Sequence, residues 1–179
     1  MWRLSVVREA PLPAPPYVLA SNHFSHLDPP VIGALIRRPV QYLALDELIG
    51  VNRFLDVSLR MFGAIPLPRG RVSVRAIRAA LARLEAGGIV GVFPEGRRVA
   101  RFGDTIPKRG AAWLARRAGV PMVPVAVIGT DRAMGLDNKV HRARVRVVFG
   151  EAIAPGDTVR MMTAWQDWME KRLGRVSVQ

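Results

Sequence analysis

Short apolar runs alternate with amphipathic stretches along this chain, and that alternation restricts its fold more than any other feature. Tyr17–Ser21 (YVLAS), Val40–Leu45, Ala64–Leu67, Ile89–Phe93 (IVGVF), Met122–Ile128 and Arg144–Phe149 read as strands, several of them apolar at every position. Pro29 and Pro30 suit the first turn of a helix running to Arg37. Arg71–Glu85 has an amphipathic helical pattern closed by Gly87–Gly88, with Val74, Ile77, Leu81 and Leu84 on one face and Arg71, Arg75 and Arg78 on another. Asp46–Phe62, Arg109–Ala118 and Val159–Leu173 complete the helices, and Thr130–Arg142 reads as irregular. Strands alternating with helices predict an α/β fold: a single layered domain over 1–179 with a mostly parallel central sheet flanked by helices. Pro11, Pro13, Pro15 and Pro16 deny a helix to residues 1–16, an extended N-terminal arm.

The bulk properties narrow the function. With no cysteine among 179 residues, a disulfide scaffold, a thiolate metal site and a cysteine nucleophile are excluded. Lys and Arg number 27 against 14 Asp and Glu, a net charge of +13. That excess fits either a coding bias toward arginine or an anionic partner: nucleic acid, a phosphorylated substrate or an anionic membrane. Aromatic residues make up 7%, few for a surface that stacks bases, so nucleic acid is not the expected partner. No stretch approaches the roughly 20 apolar residues that span a bilayer, which predicts a cytoplasmic protein that meets lipid peripherally, at the cytoplasmic face of the membrane.

Three polar segments follow three apolar strands, and in a parallel sheet all three lie at the carboxyl edge. The first, Ser21–Pro30 (SNHFSHLDPP), holds His23, His26 and Asp28. A carboxylate five residues after a histidine, on a turn entering a helix, can reach back to one ring nitrogen and prepare the other as a general base. Two other readings stand beside it: Asp28 as a helix cap, or His23, His26 and Asp28 as metal ligands. Asn22 or Ser25 can brace the turn through its backbone. The second segment, Gly63–Gly70 (GAIPLPRG), presents Arg69. The third, Phe93–Arg98 (FPEGRR), presents Glu95, Gly96 and Arg98. Arginine there suits a phosphate, and Gly96 lets backbone approach a ligand closely. The apolar residues of Asp46–Phe62 and the methionines and tryptophans of Val159–Leu173 fit either core packing or an apolar groove.

Together these segments resemble the glycerolipid acyltransferase superfamily, which includes bacterial 1-acyl-sn-glycerol-3-phosphate acyltransferases. The family's Asn-His-x-Ser-x-x-Asp motif stands complete as Asn22, His23, Phe24, Ser25, His26, Leu27 and Asp28. Gly63, Ala64, Ile65 and Arg69 match its second motif, and Phe93 to Val99 its Phe-Pro-Glu-Gly-Thr-Arg-Ser motif, with Arg97 in place of threonine and Val99 in place of serine. Val120-Pro121 and Val123-Pro124 match the fourth, and Lys108 and Gly110 also agree. Pro66 and Pro68 depart from the family's preference for aromatic or aliphatic residues.

The resemblance implies acyl transfer from acyl-CoA or acyl carrier protein to the free hydroxyl of a lysophospholipid, in phospholipid biosynthesis. Lysophosphatidic acid is the expected acceptor, with another lysolipid or a non-catalytic lipid-binding role as alternatives. His23 is implied as the base and Asp28 as its partner. Arg69 and Arg98 are implied for the acceptor phosphate, Glu95 for the glycerol portion, and backbone N–H groups near Gly96 for the oxyanion. No metal and no redox cofactor are implied. The expected partners are the lysophospholipid, the acyl thioester and an anionic membrane surface.

Overall fold

The protein is described from a computed structural model over residues 3–45, 65–67, 74–135, 139 and 141–174. Among these residues seven strands form one sheet: β1 (Arg3–Arg8), β2 (Tyr17–Ser21), β3 (Val40–Leu45), β4 (Ile65–Leu67), β5 (Ile89–Val92), β6 (Met122–Ile128) and β7 (Arg144–Phe149). Their spatial order is β1-β7-β6-β2-β5-β3-β4. Every neighbouring pair is parallel except β6 and β7, which run antiparallel with Val127 opposite Val147. The helices are α1 (Asp28–Ile36), α2 (Val74–Glu85), α3 (Gly110–Ala118), the single turn α4 (Thr130–Ala133) and α5 (Thr158–Leu173).

The fully apolar strands are explained by cover on both faces. Side chains alternate along a strand, so a sheet buried on both sides needs apolar residues at consecutive positions. In β2, Val18 and Ala20 join the core formed with α2, α3 and α5, while Tyr17 and Leu19 join the core containing Ile32 of α1 and Ala133 of α4. All five β2 residues are buried.

Several sequence expectations are refined. The N-terminal arm is extended, and its Arg3–Arg8 portion pairs in parallel with β7 as an edge strand. Val74 does not belong to the buried face of α2; it is 61% exposed, and the buried stripe is Ala76, Ala80 and Leu84. Alanines at i, i+4 spacing let that helix sit close to its neighbours, which bulk-weighted reading overlooks. The irregular segment after β6 opens with the turn α4. The groove reading of the C-terminal helix is replaced by core packing: Met161, Met162, Trp165 and Met169 are all buried. Asp46–Phe62 lies outside the described residues.

Trp165 joins α5 to the site-bearing strand. Its side chain is fully buried, its Nε1 donates to the Ala20 carbonyl at 2.9 Å, and its ring meets Phe102 edge-on at 5.8 Å. The replacement Trp165→Phe removes the indole donor to that carbonyl and reduces ring volume. It should lower the free energy of unfolding by about 1–3 kcal/mol in urea titrations. A loss near zero would mean that neither the indole hydrogen bond nor the lost ring volume contributes to stability.

Candidate active site

The site grows out of the carboxyl end of β2. There Ser21 is the last residue paired with β6, and Asn22 continues the ladder with its side chain. Its Nδ2 donates to the Val127 carbonyl and its Oδ1 accepts from the Val127 N–H, both at 2.8 Å. The amide thus imitates a strand residue while the backbone is free to turn. Ser25 adds a second brace, its hydroxyl donating to the Met134 carbonyl at 2.5 Å and accepting from the Leu27 N–H at 3.1 Å.

The turn closes around Asp28, which has no solvent exposure. A buried carboxylate must find its donors within the protein, and this one finds four. Oδ2 accepts from the N–H groups of Phe24 and Ser25 at 2.8 Å each and meets His23 Nδ1 at 3.0 Å. Oδ1 accepts from the Thr130 hydroxyl at 2.6 Å. The capping reading is corrected by this geometry. Asp28 is the first helical residue, the cap position is Leu27, and the carboxylate serves the preceding turn.

With Asp28 accepting, Nδ1 carries the ring proton and Nε2 keeps its lone pair, the arrangement a general base needs. The His23 side chain is 12% exposed. Its ring stacks on Phe93 at 4.1 Å, and Phe93 stacks in turn on Tyr42 at 5.5 Å. Tyr42 has room because its strand partner is Gly91, where a Cβ would come within 2.3 Å of the phenol ring. His23 is therefore fixed by a hydrogen bond on one edge and an aromatic face.

The loop after β5 supplies the rest. Glu95 is 3% exposed, and its Oε2 accepts from the His23 N–H at 2.5 Å. Its Oε1 is buried with no hydrogen-bond partner. Burial above all, with the charges of Asp28 and Asp104, drives the Glu95 carboxyl up to about 8 against the pull of the His23 amide. Near neutral pH it is largely protonated. The Val99 N–H donates to the His23 carbonyl at 2.9 Å, so the loops after β2 and β5 are tied together twice. Gly96 has φ +71°, which favours glycine, and a Cβ there would crowd Lys108 Nζ at 3.1 Å. The Gly96 N–H itself is spent on the Phe93 carbonyl at 3.0 Å, so it is not among the free oxyanion donors expected near that residue.

His26 is half-buried. Burial first, then the charges of Arg98 and His23, depress it to about 4, so it is neutral at physiological pH. Burial also lowers Arg98, opposed by the nearby Asp28 charge. The structure therefore gathers His23, Asp28, Glu95, Gly96 and Arg98 at one sheet edge. Arg69 lies outside the described residues. Among the described residues, no three His, Asp or Glu side chains group as metal ligands. Thr130 escaped the sequence reading, although a Gly-Thr pair directly after an apolar strand was the available signal.

One test of the buried carboxyl follows from its shift. A raised acid binds more protons folded than unfolded, so Glu95 lowers stability as pH rises from about 4.5 to about 8. The substitution Glu95→Gln removes that penalty. Its stability relative to the parent should rise by on the order of 2–4 kcal/mol between pH 5 and pH 8.5 in urea melts. A pH-independent difference would show that Glu95 titrates normally.

Comparison with known proteins bears on what this arrangement does. The family model described as Acyltransferase matches residues 3–128. A 1-acyl-sn-glycerol-3-phosphate acyltransferase of Bacillus subtilis is 28% identical over 142 residues, 79% of this chain and 68% of that protein. A chloroplastic 1-acyl-sn-glycerol-3-phosphate acyltransferase of Brassica napus is 32% identical over 144 residues, 77% of this chain but 41% of its own length. An N-acylphosphatidylethanolamine synthase of Arabidopsis thaliana is 28% identical over 146 residues, covering 73% and 50%. The crystal structure of the 1-acyl-sn-glycerophosphate acyltransferase PlsC from Thermotoga maritima shares the fold, with a TM-score of 0.74 at 21% identity over 98% of this chain and 73% of that one.

Proposed function

Since the chain belongs to the acyltransferase family, we propose that it moves a fatty acyl group from acyl-CoA or acyl carrier protein to the free hydroxyl of lysophosphatidic acid, giving phosphatidic acid. The observation that carries the reading is the His23 Nδ1 to Asp28 Oδ2 contact of 3.0 Å, with the carboxylate held by three further donors. His23 Nε2 takes the proton of the acceptor hydroxyl as that oxygen attacks the thioester carbonyl. The tetrahedral intermediate collapses, the carbon–sulfur bond breaks, and the imidazolium returns its proton to the thiolate. Asp28 keeps the ring in the required tautomer and offsets its positive charge in between.

Arg98, beside this pair, and Arg69 bind the acceptor phosphate. Glu95 serves the glycerol portion from behind His23, whose N–H its Oε2 accepts. Gly96 keeps that loop close. The similarity to an N-acylphosphatidylethanolamine synthase favours a second reading of the acceptor alone: a lipid amine in place of the hydroxyl, with the same base and donor.

The partner surface is read from the same edge. No helix among the described residues is long and apolar enough to cross a membrane. The loop joining the carboxyl end of β5 to α3 carries Ile106 at 91% exposure, with Trp113 at 42% in the first turn of α3. Exposed Arg97, Arg101, Lys108 and Arg109 flank them. Apolar side chains among cations suit an anionic bilayer, which would place the acceptor beside His23. Co-sedimentation with phosphatidylglycerol vesicles should drop several-fold for Ile106→Asp and change little for the opposite-edge substitution Val159→Asp.

The reaction is tested by following thiol release from a long-chain acyl-CoA or acyl carrier protein with lysophosphatidic acid, other lysolipids and phosphatidylethanolamine in parallel. Release that depends on lysophosphatidic acid should fall by about 10²–10⁴-fold in His23→Ala. Release with phosphatidylethanolamine alone would transfer the proposal to the amine acceptor, and lipid binding without turnover would mark a non-catalytic relative.

A further inference from the structure

The catalytic pair is held from one side by a single stretch of chain, Val127–Met134. Val127 clamps Asn22 through two hydrogen bonds, Met134 accepts from Ser25, and between them Thr130 donates to Asp28 Oδ1 at 2.6 Å. Thr130 and Asp28 are both fully buried. The turn that presents Thr130 depends on Gly129, which has φ +89° and lies so near the backbone that a Cβ would fall 2.1 Å from the Arg144 carbonyl. The hydroxyl is therefore delivered to one place by a rigid turn between β6 and β7.

The amides of Phe24 and Ser25 anchor Oδ2, the oxygen that His23 meets. Thr130 fixes the other oxygen and so sets the plane of the carboxylate. We propose that Thr130 is a positioning residue of the acyl transfer, the third member of a His23–Asp28–Thr130 chain, acting through Asp28 on the orientation of the base. This rests on the role assigned above to His23 and Asp28. It asks nothing of the substrate, so its signature is on kcat, with KM little changed.

The test uses the full chain with Thr130→Val, which keeps the β-branched shape and removes the donor, and Thr130→Ser, which keeps the donor. The Val variant should lose about 10- to 100-fold in kcat, with KM within a factor of two. The Ser variant should stay close to the parent. Independently of activity, proton NMR of ¹⁵N-histidine protein should show the hydrogen-bonded Nδ1–H of His23, assigned by its loss in His23→Gln. That resonance should move or broaden in Thr130→Val and persist in Thr130→Ser. If Thr130→Val does not fold, Thr130→Cys, a weaker donor of similar volume, is expected to give intermediate losses. An unchanged kcat and resonance in a folded Val variant overturns the proposal, as do equal losses in Val and Ser. A shifted resonance in a protein that acylates no acceptor overturns the functional reading and leaves the coupling of Thr130 to His23 standing.

Discussion

Everything at this sheet edge is arranged around one buried carboxylate. Asp28 is fully buried, so the chain must bring donors to it, and it does so from two parts of the fold. Two are backbone amides of the turn after β2, one is the His23 ring, and one is a hydroxyl from beyond β6. The turn that forms the first two exists because Asn22 lets the strand end without losing its ladder to β6. The fourth exists because Gly129 permits a backbone bend that other residues resist. A histidine at the mouth of the sheet is in this sense the by-product of satisfying a charge.

The second organising contact is less expected. Glu95 accepts from the N–H of the residue that carries the imidazole, so the loops after β2 and β5 share one buried acid. The aromatic stack of His23, Phe93 and Tyr42 runs through the same two loops and on to β3. The site thus draws on adjacent parallel strands, the place where an open α/β sheet presents its ligands.

Much of this was legible in the sequence. Tyr17–Ser21, Met122–Ile128 and Arg144–Phe149 coincide with the strands because apolar runs bounded by polar turns leave little freedom in where a strand ends. His23 and Asp28 were legible as a local pair because a turn entering a helix can bring i and i+5 together. Thr130 was not, since its partner lies 102 residues away and only the β2–β6 neighbourhood brings them into contact. Val74 is exposed because packing selects the alanine stripe of α2, which side-chain bulk does not reveal. The state of Glu95 was also hidden: the motif names a carboxylate, but only burial turns it into a neutral acid.

The pairing of β1 with β7 makes the margin of the sheet a late event in folding. Arg3 aligns with Arg144 and Arg8 with Phe149, so β1 pairs with a strand far from it in sequence. Beyond it, Glu9 accepts from Trp168 Nε1 and from the Arg172 guanidinium, which lies 3.9 Å over the Trp168 ring. Contacts of such sequence separation are slow to form, because a long loop must close before they are rewarded. During folding, β1 stays unpaired until β7 has joined the central strands. The margin of the sheet is then sealed by contacts between two distant segments.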